Sequence, residues 1–240
     1  MIEDKAKQGT IPWRKAHLGI PTASDFADIM PTPAAFRQSV KTGKPPTMPA
    51  SREHYRAKKL VERMLGRPWD SADGQVPTLS ALFSIKRGRE LENEACMGLV
   101  IELQKRQVRG ALRRCGLFLT DDRQIGASPD RILMVDGREE CCEVKCPLAH
   151  NHMEYLLQDL SDPEMPYYAQ VQGQLFVTGF QRAHFMSYHP RMPAKYVMFE
   201  RDEAYIAELE KQLRSFLVEL KEAEAKARTL GKFKPYNGGK

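Results

Sequence analysis

The chain has 240 residues, with 37 Lys and Arg against 31 Asp and Glu, a net charge of +6 and a pI near 9.0. No apolar run approaches the roughly 20 residues that span a bilayer, and the N-terminal "MIEDKAKQGT" lacks the apolar core of a signal peptide. The five cysteines form no even framework, so a disulfide-stapled secreted scaffold is excluded as well, and reduced thiols in a cytoplasm are expected.

The length suffices for one large domain or two small ones around a real core. Basic residues gather in "REHYRAKKLVER", "KRGR", "RQVRGALRR" and "KARTLGKFKPYNGGK". That clustering suits a polyanionic partner, nucleic acid first. An ordinary solvated basic surface would look the same, and charge alone does not separate the two.

In chain order, "TASDFADIM" reads as a short helix capped by Thr22 or Ser24 and stopped by Pro31. The Pro-rich "KTGKPPTMPAS" reads as a loop, because the segments on either side are too short to fold alone. "SREHYRAKKLVERMLG" puts apolar residues at 57, 60, 61, 64 and 65, a helical stripe closed by Gly66. A long helix is expected from about Thr78 to Gln104, relaxed near Gly88. The period then changes. "GLFLTDD", "RILMVDG" and "EECCEVK" are short, apolar and turn-bounded, and Asp136-Gly137 makes a hairpin of the last two. Helical periodicity returns in "MPYYAQVQGQLFVTG", with Pro166 suited to the first turn and Gly179 to the stop. "QRAHFMSYHP" and "AKYVMFE" supply two more strands. A final amphipathic helix carries Ile206, Leu209, Leu213, Phe216, Leu217 and Leu220 on one face. The sum is one α/β domain over residues 1–240, a central mixed sheet flanked by helices, with a loose basic tail from about 228 to 240.

Chemistry concentrates in the hairpin, in "IGASPDRIL" and "CCEVKCP". Residues i and i+2 of a strand share a face, so Glu143 and Lys145 point together while Val144 points away. Asp130, at the start of the partner strand, faces Glu143 across the ladder. Two adjacent carboxylates suit Mg²⁺, which takes hard oxygen ligands. A lysine beside them can orient or deprotonate a water, or offset charge on a phosphoryl group. A bare Glu-x-Lys is far more often a surface strand with a routine ion pair. The apolar flanks, the hairpin and the preceding Ser-Pro-Asp argue for a site. Cys141, Cys142 and Cys146 lack zinc-site spacing, and the six histidines form no metal-binding pair.

Asp130 followed by Glu143-Val144-Lys145 resembles the PD-(D/E)xK nuclease motif. The ordered set "PWRKAHLGIPTASDF", "RGRELENEA", "GASPDRIL", "EVKCP", "YYAQVQGQLFVTG" and "YHPRMPAKYVMFERDEAYIAEL" is similar, over most of the chain, to the lambda exonuclease or YqaJ-type viral recombinase branch. The resemblance implies the restriction-endonuclease-like fold and gives the residues roles. Asp130 is the shared metal ligand, Glu143 the second carboxylate and Val144 a carbonyl ligand. Glu92 completes the site, often through water, with Glu90 and Glu94 left open by pattern alone. Lys145 acts on the attacking water, and Gln170 lies near it. Gln174, one helical turn on, is read as a core-edge amide. Ser24 and Ser128 grip a terminal 5′-phosphate. His17 stands where the family has an arginine, with Arg14 or Lys15 in reserve. The loop around Arg37 and Lys41 occupies the place where the family inserts side chains into the duplex. No cysteine follows Cys146, unlike the iron–sulfur relatives.

The implied activity is a Mg²⁺-dependent 5′→3′ double-strand DNA exonuclease that releases mononucleotides and leaves a 3′ overhang. Two ions per site, Mn²⁺ as a substitute, a homotrimeric ring, a single-strand annealing protein as partner, and a phage or prophage origin in a bacterial cytoplasm go with it. No membrane association is expected. The rivals are an internally cutting endonuclease of the same superfamily and an inactive DNA-end-binding module.

Overall fold

The structure is a computed structural model that describes residues 1–6, 10–69 and 79–235, without the side chains of 79–82, 84 and 85. Its elements run β1 (Ile2–Asp4), α1 (Ile11–Ala16), a 3-10 helix (Ala23–Asp28), α2 (Pro33–Thr42), α3 (Ser51–Leu65) and α4 (Leu79–Lys105). Six strands follow, interrupted by two helices: β2 (Ala111–Arg113), β3 (Leu117–Leu119), β4 (Gly126–Ala127), β5 (Arg131–Val135), β6 (Arg138–Lys145), α5 (Ala149–Leu157), α6 (Tyr168–Thr178) and β7 (Arg182–Ser187). The strand β8 (Lys195–Glu200) and the helix α7 (Glu203–Leu230) close the chain.

The β5–β6 hairpin seeds the larger sheet. Asp136 and Gly137 both have positive φ, 48° and 77°, the backbone that a tight two-residue hairpin requires. β6 pairs antiparallel with β5, Arg131 opposite Cys142, and parallel with β7, Glu143 opposite Phe185. A parallel neighbour needs a crossover, and α5 and α6 supply it. The sheet order is β2-β5-β6-β7-β8, with a smaller sheet β1-β3-β4 beside it.

Strand alternation assigns the two faces. Cys142 and Val144 pack under α4 with Ala95, Leu99 and Met186, while Cys141 packs under α6 with Val171, Leu175 and Phe185. Glu143 is thereby turned toward α6. That helix is buried along nearly its whole length, from Tyr168 through Leu175 and again at Val177 and Thr178. Such all-round burial explains why its hydrophobic pattern has no polar side. The 3-10 helix seats on α6 at Gly173, where an added Cβ would stand 2.3 Å from the Phe26 ring. α7 covers the far side, with Leu209, Leu213, Phe216 and Leu220 in one cluster with Phe26 and Tyr55.

Several expectations need correction. α4 runs unbroken through Gly88, and Thr78, its expected start, lies outside the described residues. The segment after Thr22 is a 3-10 helix without a side-chain cap. α3 does end at Gly66, with φ of 67°, but its buried face is Arg52, Tyr55, Lys59, Glu62 and Met64. The charges there are paired, Arg52 to Glu219 on α7 at 2.7 Å and Lys59 to Glu62 at 3.0 Å, which is the condition for burying them. α7 keeps its helix to Leu230, beyond the expected start of the tail near 228, and residues 236–240 lie outside the described set. Among the described residues no helix is long and apolar enough to cross a membrane.

Candidate active site

Asp130 precedes β5 and turns its carboxylate onto the neighbouring strand, where its Oδ2 accepts the Val144 N–H at 2.8 Å. Glu143 is 3% exposed and accepts three donors. Its Oε1 takes Lys145 Nζ at 2.5 Å and Gln170 Nε2 at 2.6 Å, and its Oε2 takes Gln174 Nε2 at 2.7 Å. Because α6 presents residues four apart on one side, both glutamines reach the same carboxylate.

Burial and then the charge of Glu143 raise the Asp130 carboxyl to about 8, against the pull of Lys145 and the Val144 N–H. Burial works to deprotonate Lys145, but Glu143 and Asp130 outweigh it and leave its pKa raised. Without a cation, then, the site holds an Asp130 carboxyl that keeps its proton more readily than a free aspartate and a charged lysine that serves as a hydrogen-bond donor. The Lys145 Nζ also lies 5.2 Å over the Tyr167 ring.

Glu92 comes from α4 on the other side of Asp130. Its Oε1 accepts Arg131 Nη1 at 2.7 Å, and the same guanidinium donates to the Asp130 carbonyl at 2.6 Å and to Asn93 at 3.3 Å. Glu90 is paired with Lys86 at 3.8 Å, and Glu94 accepts the Tyr188 hydroxyl at 2.5 Å. Of the three, only Glu92 lines the cavities that reach Asp130. Two cavities meet there, one of about 860 Å³ and one of about 460 Å³, sharing Arg89, Glu92 and Asp130. The larger is walled by Trp13, Arg14, His17, Arg113 and Arg114. The smaller is walled by Gly88, Val144, Lys145, Cys146, Pro147 and Tyr167.

Residues 12–181 match the model of the YqaJ-like viral recombinase domain. The chain belongs to the YqaJ-like viral recombinase family. An alkaline exonuclease (LHK-Exo) from Laribacter hongkongensis is 30% identical, with 92% of this chain and 100% of that one covered and a TM-score of 0.69. The structure of LHK-Exo in complex with dAMP matches at the same identity and coverage, with a TM-score of 0.70. A phage-related exonuclease from Haemophilus somnus 129PT is 13% identical, with 87% of this chain and 96% of that one covered and a TM-score of 0.61, and shares the fold. No curated protein matches the sequence. The five-stranded mixed sheet with its flanking helices is thus the PD-(D/E)xK fold.

In this member of the YqaJ-like family the structure brings together Asp130, Glu143, Val144, Lys145 and Gln170. It places Glu92 at the same cavities, held by Arg131. Among the described residues, therefore, no three His, Cys, Asp or Glu side chains converge as a metal cage. Gln174 departs from its reading as a core-edge amide: it is 1% exposed and bonded to Glu143, and its Oε1 is buried without a partner. The i,i+4 spacing from Gln170 put both glutamines on one side of the helix and was the signal that could have found it.

The residues expected at the 5′-phosphate divide. Arg14 and His17 line the larger cavity. Ser128 lies at its edge, with Oγ donating to the carbonyl of the lining residue Gly116 at 3.2 Å. Ser24 is exposed on the 3-10 helix, and Arg37 is exposed and pairs with Glu164 at 2.5 Å. Neither they nor Lys15 and Lys41 line either cavity. His17 Nδ1 is 2.7 Å from the Trp13 carbonyl, and burial lowers its pKa, only partly offset by that bond. A neutral ring that gives its one proton to Trp13 has none for a phosphate on Nε2. The cations missed in this wall are Lys5, Arg89, Arg113, Arg114 and Arg131, of which Arg89, Arg113 and Arg114 stand in the basic clusters of the sequence.

Proposed function

We propose that the chain is a Mg²⁺-dependent double-strand DNA exonuclease that works 5′→3′ and releases mononucleotides, leaving a 3′ single-stranded tail. The observation that carries the reading is the Asp130–Glu143 pair beside Lys145 where two cavities meet. Family membership and the likeness to an alkaline exonuclease support it. The donor set fits a hard divalent cation: burial and the Glu143 charge raise the Asp130 carboxyl, and a cation beside it would replace the proton that Asp130 otherwise holds. Asp130, Glu143 and the Val144 carbonyl would hold it, with Glu92 contributing through water or after leaving Arg131. Two ions per site, and Mn²⁺ in place of Mg²⁺, belong to the same reading. Bound there, a cation supplies a Lewis acid for the phosphoryl group and stabilises the departing 3′ oxygen.

The chain's own residues do the rest. Gln170 and Gln174 hold the Glu143 carboxylate in one orientation, and Lys145 presents a charged donor to the attacking water or the phosphoryl oxygen. As the water oxygen bonds to phosphorus and loses a proton to solvent, the bond to the 3′ oxygen breaks and that oxygen takes up a proton from solvent or from the charged Lys145, which solvent then reprotonates. The larger cavity has room for a terminal nucleotide, and Arg14, Arg89 and Arg114 suit its 5′-phosphate. LHK-Exo itself has been captured with dAMP. A homotrimeric ring around DNA and a single-strand annealing partner, in a bacterial cytoplasm, complete the proposal.

The test is to incubate linear and closed-circular duplexes with the protein, with and without Mg²⁺. Mononucleotides from the linear form alone, only with Mg²⁺, are expected. Opening of the circle would instead indicate an internal endonuclease, and end binding without DNA loss a binding module. Light scattering should report a trimer at micromolar concentration.

A further inference from the structure

Among the described residues that line the smaller cavity, Tyr167 alone is aromatic. It is the N-cap of α6, and its carbonyl accepts the Val171 N–H at 2.9 Å. Its side chain makes no cap bond. Instead it leaves the helix three residues before Gln170, a spacing that lets ring and amide face one way. The ring lies 5.1 Å from that of Phe185, the register partner of Glu143. Its hydroxyl is 3.3 Å from that of Tyr155 on α5. Ring and hydroxyl are thereby both held.

Lys145 stands over this ring. Its Nζ is 5.2 Å from the ring centroid, inside the roughly 6 Å at which an aromatic face attracts an ammonium. The same Nζ donates to Glu143 Oε1 at 2.5 Å, the oxygen that Gln170 also uses. These two partners of Lys145 differ in kind. Glu143 belongs to the donor set that suits a divalent cation, so a cation and an ammonium would share one carboxylate. The ring is neutral and keeps its hold on Lys145 however Glu143 is shared. An ammonium rides on a flexible four-carbon stem, and a second hold keeps it from swinging when the carboxylate is drawn elsewhere.

We propose that Tyr167 is a positioning residue for the reaction: its ring keeps the Lys145 ammonium aimed at the attacking water or phosphoryl oxygen through a cation–π contact. This rests on the nuclease reading above. Tyr155 and Phe185 fix the ring, and the aromatic face, not the phenol, is the working part.

A fluorine series separates this role from packing, because ring fluorines drain the negative face of an aromatic with little change of size. Position 167 carries in turn Tyr167→Phe, the same ring with one, two and three fluorines, and Tyr167→Leu, each checked by thermal unfolding. On linear duplex with Mg²⁺, Tyr167→Phe should keep most of kcat, and the fluorinated rings should lower it stepwise. Tyr167→Leu should lower it about five- to tenfold, the size of one such contact, with KM for DNA little moved. In a Lys145→Ala background the series should add no further loss to the residual rate. A second readout uses neither metal nor DNA. The ε-methylene protons of Lys145, assigned by their loss in Lys145→Arg, should resonate upfield of the position they take in Tyr167→Leu, because the ring shields them. If Tyr167→Leu fails to fold, the fluorine series decides. A series flat in kcat, whatever Tyr167→Leu does, returns Tyr167 to packing and overturns the proposal, as does a Lys145 signal indifferent to loss of the ring. A wild type with the upfield Lys145 signal but no action on duplex DNA sinks the nuclease reading instead, and this role of Tyr167 with it.

Discussion

Glu143 and Glu92 both act on the Asp130 carboxyl and are held in opposite ways. Glu143 sits on the central strand, 3% exposed, with three donors fixing both of its oxygens. The Glu92 side chain sits on a helix, 33% exposed, held by the single guanidinium of Arg131. The strand position is preorganised, because moving that carboxylate means breaking a buried network. The helix position is adjustable, because one partially exposed ion pair is worth little. A divalent cation arriving at Asp130 would meet one ligand already placed and another that has still to turn.

The sharpest way to break this contrast is to remove the fixed side. Asp130→Ala, Glu143→Ala and Lys145→Ala should each cut digestion by ~10²–10⁴ while leaving duplex-end binding largely intact. Retention of more than a few per cent of activity in any of them would remove that residue from the site. Glu92→Gln should cost only about tenfold, recovered at higher Mg²⁺, as for groups that support a metal from outside its immediate ligands. A loss as deep as that of Glu143→Ala, unresponsive to Mg²⁺, would make the two carboxylates equivalent.

Gln174→Leu tests how the fixed side is fixed. It leaves Glu143 Oε2 without its donor and should lower stability by about 1–3 kcal/mol, together with kcat, while KM for DNA stays put. A wild-type kcat would return Gln174 to the role of a core amide.

Asp130 also gives the contrast a pH signature. Its folded-state pKa of about 8 is above the 3.8 of a free aspartate, so the folded chain holds that proton more tightly than the unfolded one. Without metal, stability is therefore expected to fall as pH rises between those two values. Mg²⁺ must displace the proton, so its effect on Tm should grow over the same interval, with protons released on binding. Asp130→Asn should flatten both dependences. The smallest effect is at His17, where the arginine variant should raise the preference for 5′-phosphate over 5′-hydroxyl ends by a few-fold, since burial already keeps the native imidazole neutral. Equal rates for both ends in wild type and variant would take position 17 out of phosphate capture.

The sequence was most legible where local rules and tertiary structure agree. The Asp136-Gly137 turn, the alternation that aims Glu143 and Lys145 together, the Gly66 and Gly179 stops and the apolar face of α7 all follow from neighbours within one element. The short strands β1, β2 and β4 were not legible, because two or three residues carry no usable period. Nor were the buried charges of α3, since Arg52 is neutralised by Glu219, 167 positions away. The same holds for Arg131 on Glu92 and Gln174 on Glu143. Chemistry that depends on two distant segments meeting leaves no mark on either segment alone. At Gln174 the helical spacing showed which way the side chain could face but not what awaited it.

The contact of Phe26 with Gly173 acts as a gauge block. It sets the 3-10 helix after Thr22 against the helix that carries Gln170 and Gln174, with the Phe26 ring seated on the bare backbone of Gly173. The distance from the N-terminal segment to the Asp130 and Glu143 carboxylates is thus defined by two backbones and one ring. Phe26 is fully buried, so the ring has nowhere to yield. A methyl group at position 173 would act like a shim: placed 2.3 Å from the Phe26 ring, it must push one segment from the other until ordinary contact is restored, without altering any polar group. An exonuclease that works as proposed, stopping one nucleotide from an end, would need such a fixed length, and here the length is kept by the absence of a side chain.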